Sequence, residues 1–122
     1  MARFFFLFGA LSAGFAVAMG AWSAHNEILN EVQTVWVEKG VRYQMYHSFA
    51  LLITSLLLAS QKKISKPAIV AGVCFLGGIL LFCGSLYAMA LRPVNAGYIT
   101  PAGGVLFILG WLSLACCTPG RK

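Results

Sequence analysis

The chain has 122 residues, of which 60% are hydrophobic and 10% are charged, and its formal net charge is +6. This composition excludes an ordinary soluble domain, in which about a quarter of the residues carry a charge. The cations do not form a basic patch with interleaved aromatic residues, so the sequence does not predict nucleic-acid binding.

Four apolar segments of the chain qualify as membrane spans. Crossing the hydrocarbon core of a bilayer takes about 20 helical residues, and none of the four contains a charge except Arg42 at the start of the second. The segments are residues 4–24, 41–60, 67–91 and 101–117. They predict an all-α integral membrane protein, a four-helix bundle that forms one domain over residues 1–122.

The first segment carries small residues on one helical face, which predicts close packing against a neighbouring helix. These residues are Gly9, Ala13, Ala16, Gly20 and Ala24. The segment could instead be a signal peptide that begins at Arg3. Its apolar run is longer than usual for a signal peptide, and cleavage after Ala24 would place the bulky Trp22 where a small residue is expected. We therefore expect the segment to be retained.

A two-faced stretch separates the first two spans. Apolar residues such as Ile28 and Trp36 recur at helical spacing, and Glu27, Glu31 and Glu38 lie on the opposite face. The pattern predicts a short amphipathic helix over residues 27–39 that lies at the membrane interface, with Asn26 as its cap and a break at Gly40.

Polar residues and glycines punctuate the later spans. Gly84-Ser85-Leu86-Tyr87 lies within an apolar run, where its hydroxyls need partners and Gly84 lets another helix approach. Thr100 is a predicted cap with Pro101 at the first helical position. Gly103 and Gly110, seven residues apart, predict close packing of the last helix.

The distribution of charge orients the spans. Lys and Arg in short loops stay on the cytoplasmic side, and six of the nine cations share one side of the predicted bundle. These are Arg3, Lys62, Lys63, Lys66, Arg121 and Lys122. The other side has Lys39, Arg42 and Arg92 together with all three glutamates. Both termini are therefore predicted to be cytoplasmic.

Five short motifs together resemble one family. They are Gly20-Ala21-x-x-Ala24-His25, Tyr43-Gln44-x-x-His47, Gly84-Ser85-Leu86-Tyr87, Thr100-Pro101-x-Gly103-Gly104 and Gly110-Trp111. In order and spacing the chain resembles the domain-of-unknown-function 423 family of small bacterial inner-membrane proteins, which is similar to the eukaryotic transmembrane protein 256-like family. Trp22-Ser23 departs from the more usual Phe-Gly. The resemblance implies a multi-pass inner-membrane protein, with no catalytic residue to carry over. The spans alone would also fit a mitochondrial inner membrane.

The predicted topology brings several polar residues toward the outer interface. This candidate polar cluster consists of His25, Tyr43, Gln44, His47, Ser85, Tyr87 and Thr100, with Tyr46 close by. Its members can satisfy one another and tie the helix ends together. They can also line a quinone or lipid pocket. A haem held by His25 and His47 is a further alternative, and proton-coupled transport has less support because no acid lies within a span.

The sequence predicts no enzyme, no catalytic residue and no metal site. It contains no G-x-S-x-G motif, no P-loop and no C-x-x-C pair. Cys74, Cys83, Cys116 and Cys117 are expected to be packing residues, with acylation of the last two as the alternative. We expect a non-enzymatic accessory or scaffold protein in the lipid bilayer, with a membrane-protein partner or a homo-oligomer. The alternative is a small-ligand or cofactor binder.

Overall fold

The computed structural model describes residues 1–92 and 94–117, and in these residues it contains four helices and no strand. Helix α1 is Ala2–Ala24, α2 is Glu31–Ser60, α3 is Lys66–Leu91 and α4 is Ile99–Ala115. Within α3, residues Ile79–Cys83 form a π-helical turn. Arg121 and Lys122, which entered the prediction of the orientation, lie outside the described residues.

The prediction of a separate helix over residues 27–39 is wrong. Helix α2 begins at Glu31 and continues for 30 residues. Its N-cap is Asn30 rather than Asn26: Gln33 N donates to Asn30 Oδ1 (2.8 Å), and Asn30 N donates to Gln33 Oε1 (2.9 Å). This reciprocal pair is a capping box, which stabilises the first turn of a helix.

Gly40 lies inside α2 and does not break it. The residue is buried, and a Cβ atom there would lie 2.7 Å from Tyr87 Cε1 on α3. A glycine is therefore required because the Tyr87 ring packs directly on the α2 backbone. Glycine occurs both at helix ends and where another helix approaches closely, and the sequence pattern alone does not distinguish the two.

The helices pack around a central pair. Helices α2 and α3 contact each other along much of their lengths, α1 packs on α2, and α4 packs on α3. The core between them contains Phe5, Leu51, Phe75, Ile79 and Phe107, all at most 4% exposed. Two clefts separate the less closely packed helices, one between α2 and α4 and one between α1 and α3.

Glycines allow large rings to sit directly on neighbouring backbones. Cβ atoms on Gly103 and Gly110 would lie 2.7 Å from Phe82 Cβ and from Phe75 Cε1 respectively, so the prediction of close packing at both residues is confirmed. The same prediction for Gly84 is wrong, because no atom lies within 4 Å of a Cβ built there. On α3 it is Gly72 and Gly78 that face rings. Those rings belong to Phe5 and Phe107.

Beside the apolar core, α2 buries a stripe of polar residues, and many large apolar residues of the structure are exposed. Five polar residues of α2 are buried: Gln44, His47, Ser48, Thr54 and Ser55. On its other side Tyr46, Phe49, Ile53 and Leu56 are 49–60% exposed. Among the described residues, α1 and α3 are long and apolar enough to cross a membrane, and α4 is a shorter apolar helix.

Candidate functional site

A hydrogen-bond network centred on Gln44 joins three helices. Tyr87 Oη on α3 donates to Gln44 Oε1 (2.6 Å), and Gln44 Nε2 donates to Ser12 Oγ (3.0 Å) and to the Ser12 carbonyl oxygen (3.2 Å) on α1. Ser48 Oγ lies 2.9 Å from Ser12 Oγ and 2.7 Å from the Gln44 carbonyl oxygen. All four residues of this Gln44 network are at most 9% exposed, so each polar group has exchanged water for a protein partner.

His47, three residues after Gln44 on α2, belongs to a separate group, a stack of rings. Its ring centroid is 3.5 Å from that of Phe107, and their planes differ by 9°. The Tyr43 ring is nearly parallel to both, at 7° to His47 and 11° to Phe107. The indole of Trp111 meets His47 edge-on. We call these four residues the His47 stack.

The partners of His47 define its tautomer. Nδ1 lies 2.6 Å from the Tyr43 carbonyl oxygen, which can only accept, so Nδ1 carries the proton. Nε2 then accepts from Trp111 Nε1–H at 3.1 Å. The imidazole is neutral and both of its nitrogens have protein partners. A ligand can bond to His47 only by displacing one of them.

The remaining residues of the predicted cluster lie elsewhere. Ser85 Oγ and Thr100 Oγ1 are 2.5 Å apart and join α3 to the start of α4. His25 follows the last residue of α1 and is exposed. The predicted cluster is therefore divided into the Gln44 network, the His47 stack, the Ser85–Thr100 pair and a solvent-facing His25.

Each of the first two groups borders a cleft. The α2–α4 cleft has a volume of about 770 Å³ and is bordered by the His47 stack and by apolar residues of α4 such as Val105 and Ile108. The α1–α3 cleft, of about 530 Å³, is bordered by Ser12, Gln44 and Tyr87 of the Gln44 network. The larger volume is typical of a small-molecule pocket, and its lining is mainly aromatic and aliphatic.

Three polar residues of these groups were not predicted from the sequence: Ser12, Ser48 and Trp111. Ser48 lies four residues after Gln44, so helical spacing could have placed both on one face. Ser12 adjoins the small-residue face of α1, where a hydroxyl is hard to distinguish from an alanine by pattern. Trp111 has the ordinary pattern of a lipid-facing residue.

The geometry does not fit a haem held by the two histidines. Both nitrogens of His47 have partners, and His25 lies outside the His47 stack. No group of three or more His, Cys, Asp or Glu side chains within residues 1–92 and 94–117 could hold a metal ion. The chemistry available at the α2–α4 cleft is therefore apolar contact, ring stacking and hydrogen bonding by phenols.

Comparison with known proteins indicates the class of protein. A UPF0382 membrane protein of Haemophilus influenzae is 43% identical over 109 residues, which cover 87% of this chain and 86% of the relative. A UPF0382 membrane protein of Staphylococcus aureus is 42% identical over 120 residues, 95% of each chain. The inner membrane protein YgdD of Escherichia coli K12 is 38% identical over 112 residues, 89% of this chain and 84% of that protein. The chain is thus a helical membrane protein similar to bacterial inner-membrane proteins.

A family model described as "Protein of unknown function (DUF423)" matches residues 16–104. The chain belongs to this family, as the motifs in the sequence predicted. No solved structure matches this chain.

Proposed function

We propose that the chain is a multi-pass protein of a bacterial inner membrane, with four spans and both termini in the cytoplasm. We further propose that it is a non-enzymatic accessory or scaffold component that acts through helix packing. The observation that carries the membrane location is the exposure of large apolar side chains, together with a polar stripe buried along α2. Exposed apolar surface on this scale is stable in lipid and aggregates in water.

The helix lengths support four spans. At 1.5 Å per residue, α2 is about 45 Å long, which exceeds a hydrocarbon core of about 30 Å. Its charged residues lie between Glu31 and Arg42, and residues 43–60 contain no Asp, Glu, Lys or Arg, so the first three turns extend beyond the core. Helix α4 is about 25 Å long, a shortfall that local thinning of the bilayer can absorb.

The loops support the orientation. Lys62 and Lys63 lie in the loop between α2 and α3, on the same side as Arg3 at the start of α1. The opposite side has the acidic start of α2. Cations in short loops are retained in the cytoplasm, and this supports a cytoplasmic loop from Lys62 and an outer loop before α4.

The buried polar groups support a packing role. Among the described residues, no buried side-chain nitrogen or oxygen lacks a hydrogen-bond partner. In the Gln44 network the partners come from three different helices. Polar side chains that bond across helices hold a membrane bundle in one arrangement. No nucleophile and base are paired at either cleft in the way that acyl or phosphoryl transfer needs.

Native mass spectrometry of the tagged protein, extracted gently from its own membrane, tests the accessory role. We expect a complex of fixed stoichiometry with a second membrane polypeptide. An unrelated four-span protein with the same tag and extraction is the control, because it should not retain that polypeptide. A mass equal to the chain alone would contradict the accessory role, and a multiple of the chain would replace it with a homo-oligomer.

A second candidate function is favoured by the α2–α4 cleft. A cleft of about 770 Å³ bordered by the His47 stack is large enough for a small apolar ligand. This candidate makes the protein a binder of a membrane-soluble molecule. Quinone and lipid are the ligand classes that fit an apolar, aromatic cleft.

A further inference from the structure

We propose that the α2–α4 cleft binds the head group of a membrane-soluble quinone, that is, a flat conjugated ring with carbonyl oxygens and an apolar tail. The inference rests on the second candidate function, the binding of a ligand in this cleft. It chooses the quinone over a lipid as the ligand and names the residues that recognise it.

The first argument is the parallel aromatic wall. The ring planes of Tyr43, His47 and Phe107 lie within 11° of one another. The ring centroid of Phe82 is 4.8 Å from that of Tyr43. His47 and Phe107 are 4% exposed, so their faces are already covered, whereas Tyr43 is 37% exposed. Flat conjugated rings stack favourably on such surfaces. Tyr43 is therefore the residue of the wall that keeps accessible surface for contact with a flat ring.

The second argument is the supply of hydrogen-bond donors. Both nitrogens of His47 and the indole N–H of Trp111 are used within the His47 stack. Tyr43 and Tyr46 also border the cleft, are 37% and 54% exposed, and each has a hydroxyl group. Phenol hydroxyls donate to carbonyl oxygens. A quinone supplies such acceptors on a flat ring, and a hydrocarbon chain supplies none.

The third argument is the space beside Gly104. A Cβ built on Gly104 would lie 3.8 Å from Phe82 Cδ2, which is ordinary contact, so packing between α3 and α4 does not require a glycine there. Its missing side chain instead leaves room in the cleft, which Gly104 borders. The neighbouring Phe49, Val105 and Ile108 are 54–61% exposed. In a bilayer these residues face lipid, where the apolar tail of a quinone would lie.

Fluorescence of Trp111 provides a direct test, because this residue borders the cleft. Replacing the other two tryptophans, Trp22→Phe and Trp36→Phe, leaves Trp111 as the reporter. The full chain is placed in phosphatidylcholine nanodiscs and titrated with decylubiquinone. We expect saturable quenching above the linear collisional background. Substituting both Tyr43→Phe and Tyr46→Phe should weaken binding roughly five- to tenfold, because the donors are lost.

A substitution that fills the cleft provides the matched control. Gly104→Leu should abolish the saturable component, whereas Gly14→Leu should leave it unchanged, since no atom lies within 4 Å of a Cβ on Gly14 and that residue is on α1. If Gly104→Leu does not fold, Val105→Phe occupies the same cleft from an exposed position. Saturable quenching that survives a folded cleft-filling variant would overturn the proposal.

A ring-free probe separates failure of the quinone inference from failure of ligand binding. 1-Bromododecane quenches tryptophan and has an alkyl chain but neither ring nor carbonyl. We expect it to quench without saturation and not to displace decylubiquinone. Saturable quenching by bromododecane alone would overturn the quinone inference and keep a hydrocarbon ligand. Purely collisional quenching by both probes would overturn the quinone inference together with the second candidate function.

Discussion

The ring and the hydroxyl group of Tyr87 both contribute to the packing of the helices. Its ring packs on the backbone of α2 at Gly40, and its hydroxyl donates to Gln44, which in turn bonds Ser12 on α1. The ring therefore sets the separation of α2 and α3, and the hydroxyl fixes the orientation of the amide that reaches α1.

Tyr87→Phe should lower the free energy of unfolding by about 1 kcal/mol, because Gln44 Oε1 loses its donor in a buried site. The ring remains and keeps its contact with Gly40. Unfolding by dodecyl sulfate, followed by circular dichroism in detergent micelles, measures the change. Tyr98→Phe is the matched control, since Tyr98 is 92% exposed. An equal effect of both substitutions would show that the hydrogen bond contributes nothing specific.

Adjacent glycines of α4 give a second test at the residue scale. Gly103→Ala should destabilise the protein by about 1–3 kcal/mol, because the new methyl group would overlap the backbone nitrogen of Phe82, which cannot rotate away. Gly104→Ala should have little effect, since its methyl group makes ordinary contact with Phe82. Thermal unfolding of both variants in the same detergent compares them. Similar melting temperatures would contradict the close α3–α4 contact.

The sequence predicts some of this residue-scale detail and misses the rest for physical reasons. Polar groups in an apolar run need partners, which predicts that Gln44 and Tyr87 are bonded inside the bundle. Which partners they find depends on the rotation of each helix about its axis. A turn of about 100° per residue separates Tyr43 from Gln44, and this sends the two to different clefts. The prediction of one cluster could not include that division.

Helix α2 determines how the helices are arranged, because both α1 and α3 pack on it. It is long enough for its start to extend past the core of a bilayer, and its two polar faces border different clefts. The amphipathic pattern of residues 27–39 correctly predicts a helix for most of its length. The prediction that this helix is separate from the following span is wrong. Gly40 is compatible with both a break and a close contact, and the Tyr87 ring decides between them.

The capping box at the start of α2 can be tested directly. Asn30→Ala should destabilise the first turn by about 1 kcal/mol, because the Gln33 amide loses its acceptor. Hydrogen exchange should accelerate at the amides of Val32, Gln33 and Thr34. Asn30→Ser, which keeps a capping oxygen, should restore most of the protection. Unchanged exchange in Asn30→Ala would contradict a helix start at this position.

The whole molecule leaves many large apolar side chains exposed and buries a polar stripe of α2 beside its apolar core. The four apolar segments and the short loops predict all four helices to within a few residues, except that α2 starts ten residues earlier than expected. Length and hydropathy are sufficient for this because backbone groups in lipid must bond within their own helix. The packing of the helices and the clefts between them depend on contacts of single side chains, such as Phe5 with Gly72. They therefore do not follow from the lengths and hydropathy of the apolar segments.

Cysteine labelling tests whether the protein has four spans and both termini in the cytoplasm. The native cysteines are replaced by alanine, and one cysteine is introduced as Tyr98→Cys before α4 or as Ile64→Cys between α2 and α3, at positions 92% and 82% exposed. Spheroplasts are treated with a membrane-impermeant maleimide before and after permeabilisation. We expect the cysteine at position 98 to react in intact spheroplasts and the one at position 64 only after permeabilisation. Labelling of both positions in intact spheroplasts, or of position 64 alone, would contradict four spans with cytoplasmic termini.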